Sequence, residues 1–382
     1  MRRPTLLAAL LPLLLAAVPA EPARAQSAQA RAPARQAQDA ELERLVRQLY
    51  AQGEFHGGIL VADGEDILLE QAWGIADHGR GEVLTPRHRF ATNSLGKMFT
   101  AILIMRLVER GELALDDALA SHLPEFAHPR AEEVTIHMLL SHRSGLPDYF
   151  MNQLRGVIPM EAEMSAILET VAGMELDFEP GTMFHYSNTG YVLLGMIAER
   201  EYGEPFGEVL RKQIFEPLGM HETAYGFDLL AERLPLYYSQ DGQVVDPRGR
   251  APTAGDGAET SSLRDLHRFM LALGSERLLS GESWERIFTP HSLPTEVPEG
   301  AWPPAHQDPY GYGFVLARLP FSGDSTAVAA GHGGAGLGSN YVVRFLDSDR
   351  IVIVWNNVFK RPKRVEIFEH LARTRPADGS RQ

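Results

Sequence analysis

Leu42, Leu45, Val46 and Leu49 recur at helical spacing near the start of the patterned sequence and predict an amphipathic helix. Two apolar runs follow, Gly57 to Val61 and Ile67 to Trp73, joined by the turn residues Asp63-Gly64, and they read as paired strands. Met98 to Arg110 is apolar on nearly every side, which predicts a buried helix, with Gly111 placed to end it. From there to about residue 250, helical segments alternate with Pro- and Gly-bearing loops, and Asn188 to Tyr202 is another helix, with Val192, Leu193, Met196 and Ile197 supplying its apolar face. Beyond residue 255, a helix around Leu263 to Leu273 precedes three more apolar stretches, Ala327 to Ala330, Tyr341 to Leu346 and Ile351 to Trp355. The last two, separated by "DSDR", predict a hairpin. Strands at both ends with helices between them predict an α+β fold: one antiparallel sheet built from the two chain ends, flanked by helices, with an all-helical insertion over about 98–250. No internal repeat is visible.

The first 25 residues break this pattern: a basic Arg2-Arg3 start, an apolar Leu6–Val18 core and the small-x-small triplet Ala23-Arg24-Ala25 predict a signal peptide. Cleavage after Ala25, or after Ala20, gives an exported chain, periplasmic or secreted, with no membrane anchor in the mature part. Residues 26–40 lack periodicity and read as a disordered spacer, 41–375 as the folded domain, and 376–382 as a loose tail. Removing residues 1–25 takes away three arginines and one glutamate and carries the formal charge from −14 to −16. Such a surface repels nucleic acid and anionic lipid, so the expected partner is a small-molecule or peptide substrate. The chain has no cysteine, which excludes disulfides, thiolate nucleophiles and Cys-ligated zinc.

Only four of the 36 basic residues are lysines, and one of them, Lys97, opens the apolar helix in "ATNSLGKMFTAILIM". A cation in a first turn opposes the helix dipole, and the flanking Met, Phe, Ala and Ile imply burial. Ser94 and Lys97 are three apart and share a helical face. A serine hydroxyl becomes a nucleophile when an adjacent base takes its proton, and a lysine in a dry, electropositive site is driven toward that role. The plain alternative is that Asn93 or Ser94 is an N-cap and Lys97 reaches out to solvent.

Two later stretches decide between these. "HYSNTGY" sets Tyr186 and Asn188 just before a helix, and "AGHGGAGLGSN" sets His332-Gly333-Gly334 at the end of an apolar strand. A tyrosine among cations can move a proton, an asparagine amide can hold a lysine, and glycines beside a strand edge admit a substrate backbone. In this order, Ser94-x-x-Lys97, Tyr186-x-Asn188 and His332-Gly333-Gly334 resemble the three motifs of the penicillin-recognising serine hydrolases. The resemblance is closest to class C β-lactamases with their esterase and D-peptidase relatives. It extends through "VTIHMLLSHRSGLPDY", "FEPGTMFHYSNTGYVLLG" and "FEPLGMHETAY" and covers roughly residues 42 to 370.

The resemblance implies a β-lactamase/transpeptidase-like fold, Ser94 as the acylated nucleophile, Lys97 and Tyr186 sharing the proton traffic, and Asn188 orienting Lys97 and substrate. It implies an oxyanion hole from the backbone N–H groups of Ser94 and Ala335, substrate contacts at His332, Gly333 and Gly334, and neither metal nor organic cofactor. It implies no particular oligomeric state. The third motif departs from the common Lys-Thr-Gly: a histidine and a glycine replace a cation and a hydroxyl. The expected substrates are therefore esters or peptide-like amides that do not depend on a carboxylate grip, with weak β-lactam turnover at most. A D-Ala-D-Ala carboxypeptidase or β-lactamase acting on cell-wall peptides or antibiotics is the enzymatic alternative, and a non-catalytic penicillin-binding-like receptor the other.

His137 and His142, five apart without a carboxylate motif, do not predict a metal site. Ser144 reads as a loop-shaping residue. Tyr149, Phe150, Tyr310 and Tyr312 read equally as pocket or core, and Asp256 and Glu259 as part of a solvated loop.

Overall fold

The computed structural model describes residues 40–358, less 228–230, 240, 250–251, 297–307 and 323–324, together with residues 367 and 370. The predicted signal peptide, nearly all of the spacer and the tail lie outside the described residues.

Residues 40–51 are helical (α1). The chain then runs through β1 (Gly57–Asp63) and β2 (Asp66–Trp73), reaches the buried helix α2 (Gly96–Glu109), and crosses a helical region containing α3 (Asn188–Tyr202). Helix α4 (Leu263–Ala272) leads back to β3 (Val315–Ser322), β4 (Ser325–Gly336), β5 (Gly338–Phe345) and β6 (Arg350–Asn356). The six strands form one antiparallel sheet in the order β3-β4-β5-β6-β1-β2, so the first strand of the chain pairs with the last, from Gly57 opposite Asn356 to Asp63 opposite Arg350. The predicted sheet from both chain ends is the one observed.

Period-two alternation divides the strands between two cores. On one face Leu60, Ala62, Val342, Ile351, Ile353 and Trp355 pack into the cluster that holds α2, α3 and α4. On the other, Ile59, Val61, Val343, Val352 and Val354 pack with Leu42, Val46 and Leu49 of α1. Both faces are covered, which is why these strands read as unbroken apolar runs rather than as alternating ones. Helix α2 is buried on all sides except near Arg106 and its end, as its all-round apolar pattern requires.

The third motif lies at the end of strand β4, as expected, because its glycines pair directly with β5, Gly333 opposite Tyr341 and Gly334 opposite Asn340. Two features depart from the sequence reading. Strand β3 at the sheet edge carries a proline, Pro320, and a weak apolar pattern, which hid it in the sequence. The region over 98–250 is α-helical only as far as Leu218: short strands follow at Ala224–Tyr225, Tyr237–Tyr238 and Val244–Val245, with a single 3-10 turn at Ala231–Arg233 between the first two. The first of these pairs with Glu259–Ser262, which also pairs with Arg89–Ala91, so a second small sheet abuts the start of the nucleophile segment.

Candidate active site

Asn93–Leu95 form a single 3-10 turn that feeds directly into α2 at Gly96. Neither helical start is capped by a side chain, so Ser94 and Asn93 are not N-caps. Asn93 sits in the left-handed region with φ 49°, a conformation few residues other than glycine adopt without cost. Its amide is clamped at both ends by one residue, donating from Nδ2 to Leu337 O at 3.0 Å and accepting at Oδ1 from Leu337 N–H at 3.1 Å. Asn340 of β5 adds bonds from Nδ2 to Ala91 O at 2.8 Å and Thr92 O at 2.9 Å. The Ser94 turn is thereby fixed to the hairpin that carries the third motif. Gly334 is required there, since a Cβ would lie 2.7 Å from Thr92 O and 2.9 Å from Asn93 Cβ.

Lys97 is fully buried, which removes the solvent-reaching alternative. Its Nζ donates to Asn188 Oδ1 at 2.8 Å and to the Asp256 carbonyl at 2.8 Å, and lies 3.3 Å from Ser94 Oγ. Nζ is also 5.0 Å from the centre of the Tyr186 ring. Asn188 is the first residue of α3, whose N-cap Ser187 accepts from Gly190 N–H at 3.3 Å. The Asn188 amide is oriented by the buried Asp148, which accepts from the Asn188 backbone N–H and from Nδ2 at 3.4 Å, leaving Oδ1 for Lys97. Tyr186 is half-buried with its hydroxyl turned away from solvent. Burial pushes its phenol above the ordinary value, while the Lys97 charge and side-chain hydrogen bonding with Ser94 and Lys97 pull it back down. Ser94, Tyr186 and Asn188 are thus brought together around one buried amine.

The third motif contributes differently. His332 is buried, with Nε2 3.1 Å from Tyr310 Oη and Nδ1 2.5 Å from Gly333 O, so both ring nitrogens are engaged inside the protein. Gly333 is half-buried, Gly334 buried, and Ala335 exposed at the rim.

Several residues that the sequence reading passed over complete the site. Asp256 and Glu259 are not on a solvated loop. Asp256 is buried, accepting from Tyr149 Oη at 2.5 Å and from Thr253 Oγ1, while its carbonyl holds Lys97. Glu259 is entirely buried; Oε2 accepts from Thr92 Oγ1 at 2.8 Å. Burial pushes its carboxyl up to about 7, against the opposing pull of the Thr92 bond and of Lys97. The signal was present in the glycines: Gly255 and Gly257 flank Asp256 at φ 89° and 129°. A Cβ on Gly257 would sit 1.7 Å from Asn93 O, so that segment is wedged against the nucleophile turn rather than solvated. Tyr149, Tyr310 and Tyr312 are buried and Phe150 is half-buried; Ser144 Oγ accepts from Leu146 N–H at 3.3 Å, the loop-shaping role expected of it. Among the described residues no group of three or more His, Asp or Glu side chains could hold a metal ion, and no helix is long and apolar enough to cross a membrane.

The family model described as Beta-lactamase matches residues 42–374. Penicillin-binding protein 4* of Bacillus subtilis is 32% identical over 339 residues, covering 83% of this chain and 71% of that protein. The esterase EstB of Burkholderia gladioli is 32% identical over 206 residues, about half of each chain, at 50% and 52%. Among solved structures, a D-amino acid amidase from Ochrobactrum anthropi SV3 superposes with a TM-score of 0.71 at 26% identity, covering 88% of this chain and 97% of that one. The chain belongs to the beta-lactamase family of serine hydrolases.

Proposed function

We propose, from this family membership, that the chain is an exported serine hydrolase that acts through an acyl-enzyme on Ser94 and prefers esters or peptide-like amides. The observation that carries the reading is the position of Lys97 Nζ, with Asn188 Oδ1 and Asp256 O at 2.8 Å and Ser94 Oγ at 3.3 Å. Two acceptors fix two of the nitrogen's directions, and a remaining one faces the serine oxygen. A proton leaving Ser94 passes to the Lys97/Tyr186 pair as Oγ bonds to the substrate carbonyl carbon. The same proton reaches the departing alcohol or amine as its bond to that carbon breaks. Tyr186, with Lys97 beside it, then draws a proton from the water that attacks the acyl carbon, and that proton passes to Ser94 Oγ as the Oγ–carbon bond breaks. The backbone N–H groups of Ser94 and Ala335 are the proposed donors to the oxyanion.

Substrate preference follows from the third motif. A cation and a hydroxyl are what would grip a substrate carboxylate, and here a buried, doubly engaged histidine and a glycine stand in their places. Neutral acyl groups lose nothing by this; anionic ones do. Similarity to a penicillin-binding protein favours a second reading, a peptidase or β-lactamase acting on cell-wall peptides or antibiotics. The basic start, apolar core and small-x-small triplet within residues 1–25 support export.

Turnover of p-nitrophenyl acetate or butyrate by the mature chain tests the enzyme reading, with Ser94→Ala as the inactive control; turnover of neither ester favours a non-catalytic receptor. Labelling with a fluorophosphonate and separately with a penicillin, followed by peptide mass analysis, separates the substrate classes. Label on Ser94 from both reagents favours the cell-wall reading, and from the fluorophosphonate alone the ester reading.

A further inference from the structure

The three-residue segment His185–Tyr186–Ser187 is bracketed by one residue, His142, that the proposed chemistry does not use. The backbone N–H of His185 donates to the carbonyl oxygen of His142 at 3.0 Å, and the backbone N–H of Ser187 donates to its ring Nδ1 at 3.1 Å. Between those two bonds lies Tyr186, whose ring centre is 4.3 Å from that of His142. The His142 ring is in turn 4.6 Å from Tyr310 and 5.0 Å from Tyr191, so it cannot swing away. His142 is buried and holds φ 58°, left-handed backbone that a residue other than glycine adopts at a cost. That cost is what aims its carbonyl and its ring at the same segment. The segment leads straight into Ser187, which caps α3, and Asn188, which holds Lys97.

We propose that His142 is a positioning residue for the reaction: it clamps the backbone on both sides of Tyr186 and so fixes the phenol relative to Ser94 and Lys97. This rests on the reading of Tyr186 as a proton carrier. The clamp needs an acceptor at the γ-branch position and tolerance of left-handed backbone; asparagine and aspartate supply both, and asparagine does so without a charge, its Oδ1 standing where Nδ1 stands.

The test is kinetic, on the mature chain with a p-nitrophenyl ester, among variants that melt cooperatively. H142G relaxes the backbone but removes the acceptor, and is expected to lower kcat by roughly 10- to 100-fold, the range of one buried donor left unmade, with KM little changed. H142L has bulk and no acceptor and serves in its place should H142G not fold. H142N is expected to recover most of that loss. In a Tyr186→Phe background the H142G change is expected to cost no more than about threefold, because its effect passes through the phenol. The proposal is overturned if H142N is no better than H142G, or if H142G costs as much with Tyr186→Phe as without it. An undiminished Tyr186→Phe enzyme overturns the reading of Tyr186 itself, an outcome distinct from either of these.

Discussion

The two sides of the site are built on opposite principles. On the Ser94 side, one buried amine, Lys97, is held by groups from two other segments, Asn188 and Asp256, and each of those is fixed by a further buried partner, Asp148 or Tyr149. On the β4 side, His332 is tied to its own neighbour's carbonyl and to Tyr310, and what faces outward is backbone and the small residues Gly333 and Ala335. One side concentrates charge in a dry interior, where electrostatic effects are strong; the other is nearly featureless. The contrast implies that reactivity is invested in Lys97 and its supports, while the strand contributes shape and backbone hydrogen bonds. Changes on the first side should therefore be costly and changes on the second mild.

The largest effect is expected from Lys97→Arg. Guanidinium keeps its proton and its planar fork does not fit the three-acceptor pocket, so ester turnover should fall by about 10³-fold. In the unaltered enzyme, where burial holds the Tyr186 phenol above its ordinary value, kcat/KM should keep rising toward alkaline pH as that phenol loses its proton; a flat profile across that range would break the assignment.

Next comes Glu259, which probes stability rather than rate. Its carboxyl, raised to about 7 when folded, binds a proton more tightly in the folded than in the unfolded chain. Its contribution is therefore complete below its ordinary pKa of about 4.5 and is lost as pH rises through about 7, a change of order 3 kcal/mol. Thermal melts should show the wild type losing stability over that window while Glu259→Gln, which carries no titrating group there, loses much less. Parallel curves would mean that the buried carboxyl is not protonated in the folded state.

A smaller change is expected from Asp148→Asn. The new amide no longer dictates which end of Asn188 faces Lys97, and kcat should drop by roughly tenfold, the scale of one charge-assisted hydrogen bond. Melting under the same conditions separates this from unfolding. The mildest belongs to the other side: Gly333→Thr restores a hydroxyl to the third motif, and the ratio of penicillin to ester turnover should rise by less than about tenfold, since a hydroxyl without a nearby cation makes a single neutral hydrogen bond. A rise well beyond that would show that the strand, and not the Lys97 network, limits β-lactam chemistry.

Much of this was readable beforehand where the pattern was local. The buried helix after Ser94 and the α3 helix beginning at Asn188 follow from periodicity that neighbouring residues share, and strands at both chain ends with helices between them pointed to one sheet drawn from both ends. The three motifs could be recognised by type and order. What failed did so for a common reason: Asp256 and Glu259 are acids in a glycine-bearing stretch, and composition alone assigns such a stretch to solvent. Their burial depends on how closely the backbone of residues 255–257 approaches Asn93 and Tyr191, which no local rule reports. His142 was likewise passed over, because its backbone angle and its two partners, 43 and 45 residues ahead in the chain at His185 and Ser187, exist only once the loops have met.

The sequence by itself determined the family, the sheet drawn from both chain ends and the identity of the groups able to do chemistry, since these depend on residue type, order and period. Tertiary structure alone decided that Lys97 is shut away from water with its acceptors fixed, that His332 is occupied, and that two acids lie beneath the nucleophile. Burial and hydrogen-bond direction are properties of segments brought together from distant parts of the chain, and the free energy of a charge depends on that surrounding far more than on its neighbours in sequence.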